Sequence, residues 1–365
     1  MKLVCTRNNI RDAFQLAERF VGKNLTLPIL GNILLEAIGK SVRCVATNLE
    51  IGVEVSVPCK IIKEGSVTMP GKLINSLLSS IDDEIITFEE KDCALTVKTD
   101  SSHFLIQGIS SKDFPILPKF KKGKEFSISS KELKTSLTQV APSVASSDFR
   151  PELSGIFFKK ELKSLILAAT DSFRLAEKTI NLNSSQGESF SFILPARTAQ
   201  ELLRILSDSD DDVLVRESEN QVFFELNDTH IVSRVVDGNY PDYTAIIPKG
   251  FDAHVSVARD ELVKKIKAAS VLASKLNDVS LSFSSGESSV EAINSEVGKS
   301  KIIFSSKIKG KDSRVSFNFR YLLDGLESLY GEELLISLNG DSAPALITDP
   351  QNSSFRYVVM PIRNV

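Results

Sequence analysis

At 365 residues the chain is too long for one typical core, so it divides into two or three domains. Its 42% hydrophobic and 25% charged residues give an ordinary globular composition that can bury a core in each, and no run approaches the roughly 20 apolar residues of a membrane span. The net charge of -3 carries no sign of a nucleic-acid partner, although a total says nothing about how charge is arranged across faces.

The N-terminal "MKLVCTRNNIRDAF" turns polar after five residues, so no secretory leader is expected and the chain reads as cytoplasmic. A short strand leads into the amphipathic helix "NNIRDAFQLAERFV", followed by alternating strands in "GNILLEAIGKSVRCVATNLEIGVEV". A strand, a proline and a second helix follow in "VTMPGKLINSLLSSI", and the strands of "DEIITFEEKDCALTVKTDSSHFLIQGI" end the unit. Beyond the proline-marked link "FPILPKFKKGKE" the same grammar returns. The helix "SKELKTSLTQVAPSVA" has apolar residues Leu133, Leu137 and Val140, and "SGIFFKKELKSLILAATDSFRLAEK" aligns without a gap on the segment from Gly31. "FILPARTAQELLRIL" and "HIVSRVVDGNYP" answer "VTMPGKLINSLLSSI" and "FLIQGISSKDFP". After the link "YPDYTAIIPKGFD", a fainter third copy runs through "ARDELVKKIKAASVLA" and "RVSFNFRYLLDGLESL" to "RYVVMPIRNV". Domains are therefore expected at 1–124, 125–250 and 251–365. Two helices among strands, without regular strand-helix alternation, make each an α+β unit whose helices pack on antiparallel sheets.

The segment most suggestive of catalysis is Thr170, Asp171, Ser172, Phe173 and Arg174 after an apolar strand. A nucleophilic or acid-base site would need a proton acceptor and an orienting partner, yet histidine occurs only at His103, His230 and His254. The repeat supplies another explanation. Thr47-Asn48 stands where Thr170-Asp171 does, as expected of a tight turn whose Asx side chain bonds the backbone. Only Ser172 to Leu175 exceed what that turn needs. "SDSDDD" lacks the Gly and distal Glu of an EF-hand and reads as a solvated turn. Cys5, Cys44, Cys59 and Cys93 form no C-x-x-C pair and read as reduced core thiols. No metal or cofactor is expected.

Charge is distributed unevenly. First-type helices carry Arg7, Arg11, Arg19, Lys23, Lys131, Lys134, Arg259, Lys264, Lys265, Lys267 and Lys275, and second-type helices add Lys72, Arg197, Arg204 and Arg320. Much of the acid lies in hairpins and turns such as "DDEIITFEEKD" and "RESENQVFFE". Two readings fit this split: a positive face for a phosphate backbone, or the solvated faces of amphipathic helices. Without a groove-reading helix or an aromatic platform, any DNA contact would be sequence-independent.

In order and at matching spacing, "TLPILGNILLEA", "ATDSFRLA", "VDGNYPDY", "FNFRYLLDGL" and "YVVMPIR" resemble the bacterial DNA polymerase III beta subunits, the replicative sliding clamps. The resemblance covers the whole chain. It implies a clamp fold of three tandem repeats and a ring-shaped head-to-tail dimer around double-stranded DNA, a non-catalytic processivity factor that tethers its partners. It implies a peptide-binding cleft for the polymerase III alpha subunit, the clamp loader and other partners, at Leu153, Thr170, Ser172, Phe173, Arg174, Leu175, Pro241, Ile246, Asn318, Tyr321, Val358, Met360, Pro361 and Ile362. It further implies DNA contacts at Lys23, Lys72, Arg150 and Arg197, and a subunit interface with Phe104 and Ile106 on one side and Val271 and Leu272 on the other. Three departures from the family pattern stand out: Ser172-Phe173 for Gly-His, Ala245 for an arginine, and a tail extended to "RNV". They imply a more apolar cleft. A DNA-independent scaffold that binds apolar peptides is the alternative.

Overall fold

Three successive stretches of the chain repeat one order of strands and helices. The structure, a computed structural model, describes residues 1–22, 27–146, 149–182 and 188–362. The first repeat runs β1 (Lys2–Thr6), α1 (Arg7–Glu18), β2 (Asn32–Ile38), β3 (Ser41–Thr47), β4 (Ile51–Pro58), β5 (Lys60–Lys63), β6 (Gly65–Pro70), α2 (Gly71–Ser80), β7 (Ile85–Lys91), β8 (Ala94–Lys98) and β9 (His103–Gln107). The second runs β10 (Lys124–Ser129), α3 (Ser130–Val140), β11 (Gly155–Lys160), β12 (Ser164–Thr170), β13 (Arg174–Asn181), β14 (Phe190–Pro195), α4 (Ala196–Ile205), β15 (Asp212–Ser218), β16 (Gln221–Leu226) and β17 (Thr229–Arg234). The third runs β18 (Ala253–Ala258), α5 (Arg259–Ser270), β19 (Asp278–Phe283), β20 (Ser288–Asn294), β21 (Gly298–Phe304), β22 (Ser306–Gly310), β23 (Ser313–Asn318), α6 (Phe319–Glu327), β24 (Glu333–Leu338), β25 (Ala345–Asp349) and β26 (Asn352–Val359).

Helix starts are set by one device used three times. The first backbone N–H of α1, α3 and α5 has no partner within its own helix. Each donates instead to a carbonyl just before the seventh, fifteenth or twenty-fourth strand: Arg7 to Glu84, Ser130 to Asp211 and Arg259 to Glu332, all at 2.8 Å. Apolar spacing then selects the buried face. In α1, Ile10, Ala13, Phe14 and Ala17 recur at one helical face and are all buried, and α5 does the same with Leu262, Ile266 and Ala269. Leu133, Leu137 and Val140 of α3 are likewise buried.

Among the described residues every strand pairing is antiparallel, and two sheets run across repeat boundaries. One is ordered β10-β15-β16-β17-β4-β3-β2-β6 and the other β14-β11-β12-β13-β26-β25-β24-β18-β22. The joining rungs include His230 opposite Glu54 and Arg356 opposite Glu177. Two smaller sheets, β5-β1-β7-β8-β9 and β21-β20-β19-β23, end in edge strands β9 and β21.

Because sheets cross the boundaries, contacts gather the chain into two compact units rather than three. One holds Met1–Lys131 with Arg204–Val235, the other Glu132–Leu203 with Val236–Val365. The second repeat is shared between them. Within the latter unit α6 lies on β26 so closely that a Cβ at Gly325 would come within 2.3 Å of the fully buried Tyr357 ring.

Candidate peptide-binding groove

The turn between β12 and β13 folds as its repeat counterpart does. Thr170 Oγ1 donates to the Arg174 carbonyl at 2.6 Å and accepts from Ser172 N–H at 3.1 Å, while Asp171 Oδ1 accepts from Phe173 N–H at 2.9 Å and Arg174 N–H at 3.0 Å. In the first repeat, Thr47 Oγ1 bonds the Ile51 carbonyl and Leu49 N–H, and Asn48 Oδ1 accepts from Glu50 and Ile51 N–H. Leu49 and Ser172 share the left-handed backbone, at φ 75° and 76°. Thr-Asx is thus turn chemistry, and it aims the next residues outward.

Those next residues differ between the copies. Arg174 Nε bonds Asp171 Oδ2 at 3.0 Å and a second guanidinium nitrogen bonds Asp324 of α6. Its guanidinium carbon lies 4.4 Å from the centre of the Tyr321 ring, a cation–π contact. Burial opposes the charge, but the Tyr357 hydroxyl and the Asp324 and Asp171 carboxylates outweigh it and push the Arg174 pKa up. Phe173 stacks beside Tyr321 with ring centres 6.3 Å apart and still leaves 60% of its surface exposed. The Tyr321 carbonyl is anchored from below by the Tyr357 hydroxyl at 2.7 Å. Met360 N–H donates to the Phe173 carbonyl at 2.8 Å and Ile362 N–H to the Ser316 carbonyl at 2.7 Å, so the C-terminal segment is laced between the turn and β23.

Beneath this rim lies an apolar floor. Leu175, Val358 and Ala168 pack with Tyr243, and Phe157, Tyr240, Ile247 and Leu346 close around them. Phe157 and Tyr240 stack face to face at 4.8 Å. Burial pushes the Tyr240 and Tyr243 hydroxyl pKa values up, which keeps both neutral. Of the residues expected to line a cleft, Phe173, Arg174, Tyr321 and Met360 meet at the rim, and Leu175 and Val358 meet in the floor. Leu153 and Thr170 are buried, while Ser172, Pro241 and Ile246 are exposed. Asn318 caps α6, accepting from Arg320 N–H at 3.0 Å, and Pro361 is half-buried in the laced segment. Sequence reasoning missed Asp324, Tyr240 and Tyr243. Both tyrosines stand in the link "YPDYTAII", where an aromatic pair beside a proline was the available signal.

Family models for the DNA polymerase III beta subunit match in order: the N-terminal domain over residues 1–118, the central domain over 127–242 and the C-terminal domain over 244–363. The beta sliding clamp of Synechocystis is 30% identical over 390 residues, covering 100% of both chains. The chain belongs to the DNA polymerase III beta subunit family. The beta sliding clamp of Synechococcus elongatus is 29% identical over 372 residues, covering 100% of this chain and 99% of its own. The solved sliding clamp of Bacillus subtilis has a TM-score of 0.96 at 26% identity, each chain covered completely. A Pseudomonas aeruginosa clamp bound to griselimycin matches with the same TM-score, identity and coverage. The function is that of a beta sliding clamp in DNA replication, carried by the three-domain clamp fold.

The remaining clamp residues fall as follows. Lys72, Arg150 and Arg197 are exposed and make no ion pair among the described residues, whereas Lys23 lies outside the described residues. Other helix cations are already engaged: Arg7 with the Ile81 carbonyl, Arg11 with Asp12, Arg259 with Asp260 and Lys267 with Glu327. On β9, Ile106 faces its own core and Phe104 is half-buried, so the side chain presented outward is Leu105, 61% exposed. Val271 is 79% exposed after α5 and Leu272 is half-buried. No helix among the described residues is long and apolar enough to cross a membrane.

Proposed function

We propose that two copies of this chain close head to tail into a ring around duplex DNA, and that the groove at Phe173, Arg174 and Tyr321 holds short apolar peptides of its partners. The observation that carries the ring is the repeated sheet junction. In the first junction β4 of one repeat pairs with β17, the last strand of the next, and in the second β13 pairs with β26 in the same way. Continuing that rule, β21 of the third repeat takes β9 of another copy, and both are open edges. Uncovered edges with outward apolar side chains such as Leu105 and Ile303 favour such pairing.

The equivalent rungs set the register. His230 opposes Glu54 and Arg356 opposes Glu177, and His103 holds their place on β9, so His103 opposes Lys301, Phe104 opposes Ser300 and Leu105 opposes Lys299 of the second copy. Val271 and Leu272 flank that junction. Lys72, Arg150 and Arg197, with Lys23, supply sequence-independent phosphate contacts. The chain is a non-enzyme in this reading, because Asp171 and Arg174 commit their polar groups to the turn and to each other. The polymerase III alpha subunit and the clamp loader are the partners whose peptides the groove takes, in the cytoplasm.

The test pairs Leu105→Cys with Lys299→Cys. Oxidation of the double variant is expected to give a covalent dimer that stays on nicked circular DNA after loading. Linearising the circle releases it from the ends. A cross-link that fails to form, or a dimer that stays bound after linearisation, overturns the ring.

A further inference from the structure

All four cysteines lie in the first repeat, and two of them face each other. Cys5 lies on β1, Cys44 on β3, and Cys59 between β4 and β5. β1 and β5 run antiparallel with Leu3 opposite Ile61 and Val4 opposite Lys60, so the next rung sets Cys5 opposite Cys59. Opposed residues of an antiparallel pair have Cα atoms about 4.5 to 5.5 Å apart. That separation falls within the roughly 4.4 to 6.8 Å that a disulfide spans. The Cys5 thiol donates to the Ile86 carbonyl at 3.9 Å.

We propose that Cys5 and Cys59 are an oxidative modification site, joined reversibly into a disulfide by a hydroperoxide. The two thiols have unequal roles. Cys59 is partly exposed on the side of the edge strand β5, while Cys5 is buried beneath it. The neighbouring Cys5 thiol holds the Cys59 thiol below its usual range, while Cys59 and burial push the Cys5 thiol above it. Cys59 is therefore the attacking sulfur. Its thiolate attacks one oxygen of hydrogen peroxide, an S–O bond forms as the O–O bond breaks, and the departing hydroxide takes a proton from solvent to leave as water, giving a sulfenic acid. The Cys5 sulfur then attacks the Cys59 sulfur. An S–S bond forms, the S–O bond breaks, and the Cys5 proton leaves with the hydroxyl as a second water. Two thiols lose two electrons in total, and the peroxide accepts them. Cys44 is fully buried, and burial pushes its thiol pKa up, so it stays inert.

Reduced full-length protein treated with dilute hydrogen peroxide, alkylated with iodoacetamide under denaturing conditions and mapped by mass spectrometry tests this. Cys5 and Cys59 should leave the alkylated pool together and return as one linked peptide that dithiothreitol separates, while Cys44 and Cys93 stay alkylatable. The oxidised form should melt several degrees higher, because the link closes the loop from β1 to β5. In Cys5→Ser protein, Cys59 should instead be captured by dimedone as the sulfenic acid. Recovery of Cys59 as sulfinic acid beside alkylated Cys5, a link to Cys44, or no loss of thiols in the wild-type chain overturns the proposal.

Discussion

Thr170 shows how a single hydroxyl can support both a turn and a binding rim. Its Oγ1 serves the Ser172 N–H and the Arg174 carbonyl at once, and Thr47 does the same work in the first repeat. Thr170→Val keeps the volume but strands both backbone groups, so a loss of about 1 to 3 kcal/mol is expected in denaturant unfolding. Thr47→Val should lose a similar amount; if only one of the two variants is destabilised, the turns are not equivalent. Phe173 obeys different rules. It is largely exposed, so Phe173→Ala should leave the melting temperature unchanged. In the proposed groove it should nonetheless weaken an apolar partner peptide about tenfold by fluorescence polarisation, a loss of about 1.4 kcal/mol. Tyr321→Ala should weaken it further, since it removes the stacked ring and the cation–π surface over Arg174 together.

At the scale of elements, α6 and β26 form the support under that rim. Tyr357 fills the space a larger residue would need at Gly325, and its hydroxyl holds the Tyr321 carbonyl. Gly325→Ala should therefore destabilise the chain by about 1 to 3 kcal/mol through overpacking. It should also weaken peptide binding without touching a groove residue. Gly39, at φ 62° with open space around its Cβ position, is the comparison: an alanine there meets only local backbone strain. A calorimetric scan in which Gly325→Ala melts like wild type would refute tight packing of α6 on β26.

For the whole molecule, the charge split becomes selective. Several helix cations are neutralised within the chain, whereas Lys72, Arg150 and Arg197 make no ion pair among the described residues. Replacing these three by alanine should weaken DNA binding uniformly across sequences and flatten its salt dependence by roughly 0.9 for each phosphate that is no longer neutralised. Peptide binding should not change. A triple variant with wild-type salt slope would move the DNA-binding face elsewhere on the chain.

Much of this organisation was legible in the residues alone. Repeat spacing, helical stripes such as Ile10, Ala13, Phe14 and Ala17, and the Thr-Asx turns are local patterns, and local backbone geometry enforces them. The candidate groove was legible only through resemblance: nothing local to Phe173 and Tyr321 says that they will stack, because they stand far apart in the chain. The pairing of β13 with β26 brings them together, and it also buries Tyr243 against Leu175 and Val358. The same long-range pairing explains why contacts group the chain into two units although its sequence repeats three times. Sequence by itself determined the repeating elements and their buried faces, since these follow from periodicity. Tertiary structure alone decided which repeats share a sheet, that Ile106 points inward while Leu105 points out, and that Cys5 meets Cys59, because strand register is set between distant segments.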